Sequence, residues 1–445
     1  MKKRLFAWPA LLAILWLPLL AACGSNVSRL SGFTTQPVYT GSELYVLDNY
    51  TGAGQSSVAR HIVVLPMGTT HPAARLTLPA GLTDLKHRWL YMASSLSGAS
   101  THISVLDTHS GALVHAFSIP GSYSTADQGL ADSMLSGDGR WLALRDQHVP
   151  AGTTGIVLVD TQTGKLVKSI QLAGDFTLDA VSPKGTLLYL LEYYQAGTSH
   201  YHVRAYDVQS GQLLQGDIAD KTELDEKMEG SYLTRWMSGA GDMAYTLYIN
   251  PITNKAFIHI LWLADTIAGS PFPMIARCID LPVGNSAALL SYYTLALSRD
   301  GQTLYAVNAA LGLIASVDLG PGVSSYQPWM IPNAKTARFT PDQSTPTSAG
   351  QERDLYHAAV LSPDQRLLYV AGPRGIQVIN TSTLRVQAEY LSQQSFTGLA
   401  ISSSGQTLYA VDPASGITLL DPASGQVRSV IQGSVQAPWG IAWAT

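Results

Sequence analysis

Short runs of apolar and β-branched residues, each closed by a tight polar turn, recur along this chain. Ile401–Asp412, ISSSGQTLYAVD, reads as the end of one strand, a turn and a second strand. Nearly the same phrase stands at Leu297–Asn308 (LSRDGQTLYAVN), Leu361–Gly372 (LSPDQRLLYVAG), Val181–Glu192 (VSPKGTLLYLLE) and Leu135–Asp146 (LSGDGRWLALRD). A phrase returning at such intervals marks a repeat architecture. Aligned on the "LY" pair, the units place Leu44, Leu90, Leu142, Leu188, Ala244, Leu304, Leu368 and Leu408 in register, 40 to 64 residues apart. Further on in the units lies a second turn, such as DTHSG from Asp107, DTQTG from Asp160, DVQSG from Asp207 and DPASG from Asp421. Asp opens such turns by bonding its own backbone two residues on, and Gly closes them at positive φ without steric cost. Each unit therefore reads as four short strands, A to D. Ser-x-Asp-Gly joins A to B, and Asp-x-x-x-Gly joins C to D.

Four-stranded units of this length, arranged radially, make a β-propeller. The expected fold is all-β: a single propeller of eight blades, or seven if one divergent unit is absorbed elsewhere. The phrase LSPDGxxLYV resembles that of YVTN-type and Trp-Asp-repeat-like propellers, and the likeness extends over nearly all of residues 40–445. The chain finishes Ala437–Thr445, APWGIAWAT, a strand A with no B after it. Placed before GSELYVLD it completes the first blade and closes the ring, which removes an exposed sheet edge.

The start of the chain reads differently. Lys2, Lys3 and Arg4 precede the apolar Leu5–Leu20, the layout of an export signal. The run ends in Leu20-Ala21-Ala22-Cys23, which resembles the lipobox of bacterial lipoproteins. That resemblance implies removal of residues 1–22, lipidation at Cys23, a Ser/Thr/Gly-rich flexible tether over 23–38 and a propeller domain over 39–445. The implied location is extracytoplasmic, anchored to the cell membrane through the lipid. With Cys23 acylated, Cys278 has no disulfide partner and reads as a small buried residue.

Composition narrows the partners. The chain is 46% hydrophobic and 13% charged, ample for a large core, and its net charge of −4 argues against nucleic acid, which calls for a basic face. There is no Gly-x-Ser-x-Gly elbow, His-Glu-x-x-His, Cys cluster or phosphate-binding glycine loop, so no cofactor or metal is expected. The acidic stretch Asp217–Glu229 lacks calcium-loop spacing and reads as an exposed helical turn. His148, His200, His202 and His357 fall near connecting loops.

The B–C and D–A connections vary most in length, the longest running from Gly320 to about Asp354, and they share one end of the ring. Elaborated loops on a rigid repeat scaffold form binding faces. Strand A begins at that end beside the channel. Its aligned starts are Phe176, Tyr232, Tyr292, Tyr356 (with His357 after it) and Phe396, and Trp439 lies one place along. These aromatics read either as a funnel for a flat ligand or as packing between blades. Three positions further on, most blades carry Leu295, Ala359, Leu399 or Ile441, whereas two neighbouring blades carry Asp179 and Arg235. A charge pair there marks either a site or a structural bridge. The reading is a membrane-tethered, monomeric binding scaffold for a protein, peptide or glycan. A hydrolase is the alternative, because bacterial propeller lactonases share the repeated phrase. Binding is preferred to catalysis.

Overall fold

The computed structural model describes residues 42–50, 59–69, 72–96, 99–125, 134–194, 200–220, 228–266, 275–320, 330–340 and 357–445. Gly41–Thr445 cluster as one unit. Among the described residues the named elements are β-strands, apart from a 3-10 turn at Ala287–Tyr292. The strands form eight antiparallel sheets of four, which are the eight blades of a propeller. Blades four and five each gain one extra short strand.

The repeated phrase recurs because its polar residues build the same turn each time. In Ser-x-Asp-Gly, the Ser hydroxyl donates to the Asp two residues on: Ser136 to Asp138 at 2.7 Å, Ser298 to Asp300 at 2.6 Å, Ser362 to Asp364 at 2.6 Å. The same oxygen accepts the amide five residues on, as from Trp141, Leu187, Thr303 and Leu367. In blade two, Asp84 replaces the Ser and accepts the amides of Arg88 and Trp89, both at 2.8 Å.

The "LY" tyrosine explains how blades are joined. Its hydroxyl reaches the C–D link of the next blade. Tyr189 donates to the Ala264 carbonyl at 2.9 Å, and Tyr369 donates to the Pro422 carbonyl at 3.0 Å. At the closing seam Gly68 N–H donates to the Tyr409 hydroxyl at 2.9 Å. The rest of each seam is apolar and buried. One cluster spans blades eight and one, from Ala400, Val411 and Leu419 to Leu44, Val63 and Ile441.

Closure is made by Pro438–Ala444, which pairs antiparallel with Glu43–Tyr50, Leu44 opposite Ala444 and Val46 opposite Ile441. The Asp48 carboxylate fixes the incoming chain by accepting the amides of Gln436 and Ala437. Trp443 stacks on Tyr45 at 4.4 Å and on His87 at 4.8 Å.

The loop pattern differs from the expectation of one plain and one elaborated end. In blade six, strand D is Lys335–Arg338, a short and largely exposed strand whose sequence carries no apolar run. The stretch after Gly320 is thereby divided: 319–334 is a C–D link and 339–358 is a D–A link. In blade five, strand D starts only at Ile275, so 263–274 is also a long C–D link. Elaboration thus follows blades four to six, at both ends of the ring. The Asp217–Glu229 stretch differs too: Ala219–Asp220 and Met228–Glu229 are strand pairs, while residues 221–227 lie outside the described residues.

Candidate functional site

Blades four and five share the least regular seam. Strand A of blade four, Asp175–Val181, carries Asp179, and strand A of blade five, Ser231–Met237, carries Arg235. The two meet in an ion pair, Arg235 Nη2 to Asp179 Oδ1, with side chains 1% and 0% exposed. Arg235 also donates through Nη1 to the Asp179 carbonyl and through Nε to Thr246 at 2.7 Å. Burial opposes the guanidinium charge, but Asp179, Tyr248 and Tyr232 together outweigh it and raise the Arg235 pKa. The guanidinium therefore stays charged, and its Nη atoms are engaged by Asp179.

Around the pair lies more buried polar chemistry. Tyr201, Tyr248 and His259 are each about 1% exposed. Asp179 Oδ2, the Tyr201 and Tyr248 hydroxyls and His259 Nδ1 have no hydrogen-bond partner among the described residues. Such groups are costly to bury, so the seam is strained relative to an apolar one. Desolvation lowers the His259 pKa to about 4 and raises both tyrosines well above their ordinary value.

Outward from this seam a pocket opens, lined by Asp220, Met228, Glu229, His259, Cys278 and neighbouring residues. The connector from blade four to blade five builds its outer wall. Ala219–Asp220 runs parallel to strand D of blade five, and Met228–Glu229 pairs with His200–Tyr201 of blade four. Asp220 is locked by Arg277 at 2.7 Å and by the Cys278 amide at 2.8 Å. Glu229 holds His200 at 3.1 Å and accepts from Thr253 at 3.1 Å.

The other sequence-predicted residues are scattered. Tyr232 stays close, its ring centroid 5.8 Å from the Arg235 guanidinium. Tyr292 and Phe396, 6% and 1% exposed, belong to one apolar cluster with Tyr369 and Leu399. They pack blades together and do not line an open funnel. Trp439 is half-buried beneath the Arg60 guanidinium. His357 is half-buried, adopts φ +52° and meets the Trp236 ring edge-on at 5.1 Å. Tyr356 and Cys23 lie outside the described residues. His148 is exposed and His202 pairs with Asp217 at 2.6 Å. Among the described residues, no three His, Cys, Asp or Glu side chains are arranged to hold a metal ion.

The sequence reading missed Met228, His259 and the pocket face of Cys278. A signal existed for His259, a lone polar residue inside the apolar strand Lys255–Trp262. No signal existed for Met228, which reaches the pocket only through the connector's path.

No sequence model of a protein family matches the chain, and no curated protein matches it. Among solved structures it is similar to apo AztD from Citrobacter koseri, at 12% identity over 92% of this chain and 98% of that one, TM-score 0.49. Dihydro-heme d1 dehydrogenase NirN is similar at 13% identity over 93% of this chain and 78% of that one, TM-score 0.47. The periplasmic gluconolactonase PpgL of Pseudomonas aeruginosa is similar at 16% identity over 90% and 98%, TM-score 0.41. These likenesses concern the propeller fold alone.

Proposed function

We propose that this chain is an extracytoplasmic lipoprotein, tethered through Cys23, whose propeller is a binding scaffold with its recognition surface on blades four to six. The observation that carries the reading is where elaboration and exposed apolar side chains coincide. Long connectors follow one another from blade four to blade six. The B–C links of blades four and five present Tyr194 and Ile252 to solvent at the same end of the ring, 48% and 90% exposed. Large apolar side chains held on loops of a rigid frame are what a protein, peptide or glycan partner would bury.

The hydrolase alternative asks for a carboxylate, a histidine and an arginine open to substrate. Asp179, His259 and Arg235 do gather, but the two charges are mutually paired and sealed in the seam, and His259 stands at the back of the pocket only 1% exposed. That supports binding over turnover. Attachment through a lipid rests on the lipobox-like run Leu20-Ala21-Ala22-Cys23; among the described residues no helix is long and apolar enough to cross a membrane.

The test uses the full-length chain on glycan and peptide arrays, with lactones assayed for hydrolysis alongside. Binding that Tyr194→Asp and Ile252→Asp weaken supports the surface. Lactone turnover that Asp179→Asn abolishes, without array binding, overturns it. For the tether, fatty-acid-analogue labelling should reach the native chain and not Cys23→Ser; equal labelling of both would refute lipidation at that residue.

A further inference from the structure

The pocket between blades four and five combines three soft donors whose placement the scaffold reading does not use. Cys278 Sγ lies 3.6 Å from Met228 Sδ. Cys278 and His259 are direct cross-strand partners, so their side chains share one face of blade five. All three residues line the same pocket, Met228 and Cys278 half-buried at its wall and His259 1% exposed at its back. His259 Nδ1 has no hydrogen-bond partner among the described residues, although a buried ring nitrogen ordinarily has one.

We propose that Met228, His259 and Cys278 form a binding site for one soft monovalent cation, Cu(I) in particular. Thiolate and thioether ligands select Cu(I), and imidazole suits copper as well. The sulfur spacing fits a shared ion: two bonds of about 2.3 Å at a tetrahedral angle separate their sulfurs by about 3.8 Å. Two of the three carboxylates that line the pocket, Asp220 and Glu229, are already engaged. Asp220 is held by Arg277 and the Cys278 amide, and Glu229 by His200 and Thr253. A hard cation such as Ca²⁺ or Mg²⁺ demands six or more oxygens, which this donor set does not offer. Binding replaces the S–H bond of Cys278 with a sulfur–copper bond and releases one proton to water. Met228 and His259 donate lone pairs, and copper keeps its oxidation state.

The site also explains why a strained seam is tolerated. The connector that brings Met228 onto Cys278 is the same one that Asp220 fastens to strand D. An ion there would tie both blades through the connector and occupy the His259 nitrogen.

The test takes the full-length chain in detergent with Cys23→Ser in every arm, which leaves Cys278 as the one thiol. Cu(I) is titrated anaerobically against the chelator bicinchoninate. The expected result is one Cu(I) per chain and one proton released, with two sulfur neighbours and one nitrogen neighbour by X-ray absorption. Cys278→Ser should abolish binding, and Met228→Leu and His259→Gln should each weaken it at least about tenfold. Zn(II) should bind far more weakly than Cu(I). Should His259→Gln fail to fold by circular dichroism, Met228→Leu at its half-buried position carries the comparison. No retained Cu(I), equal affinity in Met228→Leu, or binding that survives Cys278→Ser would each overturn the site.

Discussion

The seam between blades eight and one and the seam between blades four and five solve the same geometric problem with opposite chemistry. At the equivalent strand A position, blades eight and one carry Leu399 and Ile441, each 1% exposed. Blades four and five carry Asp179 and Arg235. The closing seam is filled by aliphatic side chains, and its Tyr409 hydroxyl is satisfied by Gly68 N–H. It is also tight: a Cβ on Gly398 would stand 2.9 Å from Ile441 N. The polar seam satisfies its charges chiefly by pairing them and, among the described residues, leaves four polar atoms without a hydrogen-bond partner. The fold requires only that a seam be filled. Aliphatic filling contributes stability without conditions, whereas polar filling depends on every partner being present.

The largest effect should come from removing residues 437–445. Blade one then loses strand A, and Ile441 and Trp443 no longer bury their side chains. At about 1.5–3 kcal/mol per large side chain, together with the lost pairing, the cost should reach about 5 kcal/mol or more. A truncated chain that melts at the native temperature would show that this strand does not hold the ring.

The polar seam should respond next, and non-additively. Asp179→Leu or Arg235→Leu alone strands a buried charge, at about 3–5 kcal/mol. Replacing both restores the chemistry of the other seams and should cost less than either single change. Denaturant unfolding of the four-member cycle measures this. Additive losses would mean that the pair is not energetically coupled.

How much of this was legible in the sequence follows from the same contrast. Ser136, Ser298 and Ser362 announce the blades because each turn is built locally, within a few residues. The closing strand was legible because Ala437–Thr445 had strand character and lacked a partner. Asp179 and Arg235 stood out because they break a repeat position, and repeats make position comparable. The aromatic starts were ambiguous because period alone does not separate a seam from a channel; Tyr292 and Phe396 lie in a seam. The pocket was not legible. Met228 and Cys278 are fifty residues apart, and no repeat position or local motif brings them together.

Acidification offers a smaller handle on the ring. Burial, then the nearby His87, lowers the His357 pKa from 6.5 to about 4, against a raising contribution from the Ala442 carbonyl. Trp236 covers one edge of the ring. Between pH 6.5 and 4 the unfolded chain takes up a proton that the folded chain refuses. Stability should therefore be full above pH 6.5, fall as pH falls, and level off below pH 4. This one group should remove about 2 kcal/mol between pH 7 and 5. His259, shifted the same way, adds a contribution of the same sign. His357→Gln should thus reduce the slope of stability against pH in that window without flattening it. An unchanged slope would show that His357 titrates normally in the folded chain.

The smallest effect separates the two seams by sign. Tyr409 and Tyr201 are both buried, 1% exposed each. The Tyr409 hydroxyl accepts the Gly68 amide, so Tyr409→Phe removes a bond and leaves that amide without its partner. The expected loss is about 1 kcal/mol. Among the described residues the Tyr201 hydroxyl has no hydrogen-bond partner, so Tyr201→Phe removes an uncompensated polar atom from a buried seam. Its ring keeps the contacts with Tyr193 and Tyr248, because those involve the aromatic face and edge. Tyr201→Phe should leave stability unchanged or raise it by up to about 1 kcal/mol. Urea unfolding of the two variants beside the native chain reads the difference directly, since neither substitution changes side-chain volume much. Should Tyr201→Phe cost as much as Tyr409→Phe, the Tyr201 hydroxyl would have a partner in solution, and the seam between blades four and five would be as well satisfied as the one that closes the ring.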